Sequence, residues 1–237
     1  MKRNRTCIIA ALAALLAVGL TSRACAGQPS VAERAAALKA SLALSQAVLK
    51  QYEWVETTVV SLKGEEKSRK LNRCYYGADG GVTKIPLTTP PPPQKRRGLL
   101  GRIAANKTKE MTEYMQQAVG LVKSYVPPDP ARIQAAQEAG KVSVDVLQKN
   151  KRVRLNFRDY HQPGDTLGVE IDTANNRLLG LKVSSYLENA KDTVTLDVKF
   201  AQLADGTSYA QTTMLNATKK KVKVQVENAG YRKMAKE

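Results

Sequence analysis

The chain is poor in the residues on which most catalysis and metal chemistry depend. Its 237 residues hold one His, three Cys, one Trp and two Phe. A single imidazole leaves no His pair for a zinc site, and the thiols at Cys7, Cys25 and Cys74 have neither metal-ligand nor disulfide-framework spacing. No P-loop, G-x-G-x-x-G, G-x-S-x-G or H-E-x-x-H motif occurs. His161 lies in the turn Tyr160-His161-Gln162-Pro163-Gly164 and reads as an exposed turn residue, with Asp159 and Asp165 as ordinary turn acids. Glu170 and Asp172 alternate with Val169 and Ile171, so they read as the wet face of a strand. No enzyme, cofactor or metal site is expected from this inventory. Long apolar runs are also missing. Residues 7–20 form the one extended uncharged apolar stretch, and 14 residues fall short of the ~20 that span a bilayer as a helix.

What is present starts with that stretch. Lys2, Arg3 and Arg5 precede it, and Ala24-Cys25-Ala26 follows it. A basic start, a short apolar centre and an A-x-A site make a secretory signal peptide. Residues 1–26 are therefore expected to be removed, leaving 27–237 as one domain in the periplasm or outside the cell. Lipid anchoring at Cys25 is the lesser alternative, since Arg23 suits a lipoprotein signal poorly. Cleavage after Ala26 removes four cations and no acid, lowering the net charge from +17 to +13. It also leaves Cys74 as the sole thiol, which reads as a small buried hydrophobe.

Hydrophobic residues at 43% and charged residues at 25% suit a globular domain. Ser30-Val31-Ala32-Glu33 is a capping box that opens a helix to about Lys50, with Leu38, Leu42 and Leu49 on one face. Residues 52–62, 67–76 and 82–87 read as strands separated by Gly-containing turns. Four prolines at 90–93 impose an extended conformation. A helical insertion spans about 99–140. Its first helix carries Met111, Tyr114, Met115, Ala118 and Val122 at helical spacing, and its second starts at Asp129-Pro130. From Val142 onward the chain alternates apolar and polar residues between short turns, the pattern of an antiparallel meander with one apolar face. About ten strands are expected, and a sheet that wide must curl. The fold class is α+β, with the apolar face covered by helices, by curvature or by a ligand.

This order of elements, over about residues 30–231 and most nearly over 155–231, resembles the periplasmic lipoprotein carriers (LolA and LolB) and their relatives. The resemblance implies an incomplete β-barrel capped by helices, with acyl chains or other hydrophobic ligands held between them. The candidate cavity lining on that reading is Trp54, Val153, Leu155, Phe157, Leu179, Leu181, Val183, Leu196, Val198 and Phe200 from the strands, with Met111 and Met115 from the insertion. Trp54 suits an anchor at the edge of the core at least as well.

The charge is segregated. Residues 84–124 hold eight cations against two acids and residues 141–158 six against one, while residues 159–205 hold eight acids against four cations. Lys219, Lys220, Lys221 and Lys223 form a further cluster. Nucleic acid is not expected, because an exported chain rarely meets it and no binding module is present. An anionic membrane surface suits Lys95, Arg96, Arg97 and Arg102, which are interleaved with Leu99, Leu100 and Ile103. Two readings follow. One is a monomeric carrier of a hydrophobic ligand or lipid. The other is a non-enzymatic envelope module that docks on an anionic surface or partner through its basic insertion.

Overall fold

A computed structural model describes residues 31–88 and 98–234, with side chains from 40 to 88 and from 106 to 234. The signal segment, the Ser30 cap, the proline run and the basic residues Lys95, Arg96 and Arg97 lie outside the described residues. The elements run α1 (Val31–Leu49), β1 (Tyr52–Leu62), β2 (Glu65–Tyr76), β3 (Val82–Pro86), α2 (Gly98–Lys123), α3 (Pro130–Glu138), β4 (Val142–Gln148), β5 (Arg152–Arg158), β6 (Thr166–Asp172), β7 (Arg177–Tyr186), β8 (Thr193–Gln202), β9 (Ser208–Ala217) and β10 (Val222–Lys233).

All ten strands form one open, curved antiparallel sheet in the order β3-β2-β1-β10-β9-β8-β7-β6-β5-β4. The two meanders are joined at β1 and β10, where Thr58 faces Val226 and Val60 faces Val224. The edges are therefore β3 and β4, the strands that flank the helical insertion. Register shifts at Glu53/Val55, Val60/Ser61, Val146/Gln148, Glu170/Ile171 and Lys199/Phe200 mark bulges. Each adds local bend and twist, which is how so wide a sheet curls.

One face carries the core. The rows Val142, Phe157, Leu167, Val183, Leu196 and Leu215 run across six strands. They meet Tyr114, Ala118, Val122 and Tyr125 of α2 and its C-terminal extension, and Ala136 of α3. The i, i+4, i+8 spacing of Tyr114, Ala118 and Val122 makes this stripe. In α1, Leu49 and Ser45 are buried and Leu42 packs on the core. Ser45 Oγ accepts from the Ser208 N–H at 3.1 Å, which ties α1 to β9. Asp129 caps α3 by accepting from the Ala131 N–H at 2.9 Å, with Pro130 at the first helical position.

Three sequence expectations change. The second strand starts at Glu65, because Lys63 and Gly64 (φ 55° and 88°) alone supply the two left-handed positions of a tight hairpin turn. Leu178, not Leu179, joins the core, because the bulge at Glu170/Ile171 pairs Leu178 with Ile171 and leaves Leu179 half-buried outside the cluster. Glu170 is on the outward face as expected, yet it is 8% exposed. Arg152 and Arg154 from β5 lie over it and bond both its oxygens, so the outer face is roofed by arginine stems there.

Candidate functional site

The helix-bearing face is filled by its own side chains over β5–β9. Phe157, Leu181, Val183, Leu196 and Val198 are buried in the core cluster, with Leu155, Phe200 and Met115 packed against it. Val153 is half-buried nearer the β4 edge. Here the apolar face is closed by α2 and α3 and is not an open cavity.

Space remains beside residues 107–112 of α2. A cleft of about 600 Å³ is lined by Leu62 and Lys63 at the end of β1, by Lys107, Thr108, Glu110, Met111 and Thr112 of α2, and by Lys219, Lys220 and Lys221 of the β9–β10 turn. Its construction follows from the register. Leu62 pairs with Val222 across β1 and β10, so the β1–β2 and β9–β10 turns lie side by side. The Lys63 N–H donates to the Lys221 carbonyl at 2.9 Å and locks the two tips together. Both lysines have left-handed backbones, at φ 55° and 52°. α2 is fixed over the turns by the Tyr114 hydroxyl, which donates to Asp192 Oδ1 at 2.6 Å, and by an ion pair from Lys220 to Glu110.

The floor of the cleft is apolar and its rim cationic. Leu62 and Met111 are half-buried. Val60 lies two residues before Leu62 on the same strand face, opposite Val224. On the rim, Lys219 bonds Glu188 at 3.2 Å and lies 3.7 Å from Asp192. Those contacts, the Glu188 bond foremost, hold its ammonium above the ordinary lysine range. Lys220 likewise holds the Glu110 carboxyl below its ordinary range. Lys63, Lys107 and Lys221 have no ion-pair partner among the described residues.

Of the candidate cavity residues, Met111 alone lines the cleft, and Lys219, Lys220 and Lys221 of the C-terminal lysine cluster line it as well. Arg102 lies in the first turns of α2. Trp54 sits elsewhere, in an aromatic group at the β1–β10 junction. It is 7% exposed, stacks on Tyr231 at 5.5 Å and 14°, and leans on Tyr76 at 5.5 Å. Its Nε1–H donates to Asn228 Oδ1 at 3.0 Å. Its cross-strand neighbour Cys74 is fully buried, and burial pushes the thiol up. Sequence patterning passed over Leu62 and Lys63, and Lys107 counted there only as one of the cations of the basic insertion. Lys63 carried a signal in its place beside Gly64 at a hairpin tip, but nothing local places that tip beside Lys221.

The chain is similar to a LolA superfamily protein. That structure, from Nitrosomonas europaea, shares 9% identity over 84% of this chain and 94% of its own, with a TM-score of 0.37. A second likeness is to MucB in complex with MucA(peri), at 11% identity over 85% of this chain and all of that one, with a TM-score of 0.20. No family model matches the chain, and no curated protein does. The resemblance is one of element order, and the chemistry of the cleft rests on this chain's own side chains.

Proposed function

We propose that the protein is an exported envelope protein that binds and carries a hydrophobic, acyl-chain ligand. The observation that carries this reading is the cleft, where the apolar face stays open between Leu62 and Met111. An opening of this size with an apolar floor and polar rim is the usual form of a small-ligand site. The helix above it is held at Tyr114 and Glu110, so a chain entering beneath α2 meets a preformed slot. Export rests on the basic start, the apolar residues 7–20 and the A-x-A site, with residues from Gly27 onward in the periplasm or medium.

The test uses the protein purified from Gly27 onward and a fluorescent dodecanoyl probe. The wild type binds the probe, and Met111→Asp abolishes binding while leaving the far-ultraviolet circular dichroism unchanged. A wild type that binds no probe, or a Met111→Asp variant that binds it equally well, overturns the reading.

A further inference from the structure

We propose that the cleft is selective for a phosphorylated amphiphile, its phosphate held by Lys63, Lys107 and Lys221 while the acyl chain runs over Leu62 and Met111. This deepens the carrier reading and rests on it. Three separate segments, a hairpin tip, a helix and a second hairpin tip, bring five lysines and one glutamate to the lining of a single cleft of about 600 Å³. Acids of the protein take two of them: Glu110 bonds Lys220, while Glu188 and Asp192 flank Lys219. The other three have no acid within ion-pair distance among the described residues, although Glu65 and Glu110 lie within electrostatic reach of Lys63 and Lys107. Like charges crowded at one site repel, and an anion placed among them removes that repulsion.

The backbone points the same way. Lys63 and Lys221 both occupy the left-handed region, at φ 55° and 52°, where Asn or Gly is the relaxed choice. A side chain that Asn would replace with less strain is present at both tips, and each of these lysines lines the cleft. The number of cations selects the ligand class. A fatty-acid carboxylate carries one charge and leaves two of the three ammonium groups unpaired. A phosphate monoester carries about −1.5 to −2 at neutral pH and offers three acceptor oxygens, one for each lysine.

The experiment compares dodecyl phosphate, dodecanol and inorganic phosphate binding to the protein from Gly27 onward by calorimetry in low salt. The variant is the triple Lys63→Asn, Lys107→Gln, Lys221→Asn. Its Asn residues suit the left-handed turns, so the fold is kept. Wild type binds dodecyl phosphate at least about tenfold more tightly than dodecanol. The triple variant loses that preference, retains dodecanol binding, and shows a weaker dependence on salt. Equal affinity of wild type for dodecyl phosphate and dodecanol, or a preference that survives in the triple variant, overturns the phosphate site and leaves the carrier reading standing. Inorganic phosphate binding as tightly as dodecyl phosphate overturns the amphiphile in favour of a free-phosphate site. Failure of both dodecyl compounds to bind removes the carrier reading itself.

Discussion

Asp165 shows how much a residue's surroundings decide its role. Its side chain is 1% exposed and accepts from the backbone N–H groups of Tyr160, His161 and Gln162 at 2.6, 3.0 and 2.8 Å. The Tyr125 hydroxyl donates to it as well and also contacts Ser185 Oγ at 2.8 Å. One carboxylate thus fixes the β5–β6 turn and the end of the α2 segment together. Asp165→Ala leaves those donors buried without an acceptor, and we expect a loss of about 3 kcal/mol or more by urea unfolding. Tyr114 gives a pH-dependent counterpart. Burial, then its bond to Asp192, pushes the phenol up to about 12 from 10. The folded state therefore holds this proton more tightly than the unfolded chain does. Its contribution is complete below pH 10 and is lost as the pH rises toward about 12. Thermal unfolding across that range should show wild type losing stability more steeply than Tyr114→Phe.

At the scale of elements, α2 is divided. Its C-terminal half is core, and residues 107–112 ahead of it roof the cleft. Ala118 is fully buried at the centre of the core half, so Ala118→Leu must overpack. We expect a cost of about 1–3 kcal/mol in equilibrium unfolding, and a weakened grip on the dodecanoyl probe because the roof shifts with the helix. The elements themselves were largely legible in the sequence. Tyr114, Ala118 and Val122 recur at helical spacing, Asp129-Pro130 opens α3, and Val194, Leu196 and Val198 alternate as a half-buried strand must. Position relative to a distant partner was not legible. A one-residue bulge exchanged Leu179 for Leu178, and Glu170 left the solvent because two arginines on the next strand cover it. The cleft was hidden for the same reason, since its lysines come from a helix and from two hairpin tips whose adjacency depends on β1 meeting β10.

That pairing is the fact of largest scale in the molecule. β1 lies between β2 and β10, and β10 lies between β1 and β9, so β10 alone joins β1–β3 to the remaining sheet. The junction also carries the second packed group, where Trp54 and Tyr209 flank Tyr231, Tyr76 leans on Trp54, and Asn228 links the Trp54 indole to the Ala210 carbonyl. Without β10, one side of β1 and one side of β9 become open edges, Val222 leaves the core face, and the Lys63 N–H loses the Lys221 carbonyl as the turn frays. The described strands all lie between Tyr52 and Lys233. Two truncations should therefore behave oppositely. A chain starting at Gly27 unfolds in a single cooperative transition by circular dichroism. A chain ending at Lys221 shows no cooperative transition and exposes strand edges that promote aggregation. A cooperative transition in that second chain would mean that β4–β9 with the helices fold without β1–β3, and that the cleft is assembled between two independent units and not built into one sheet.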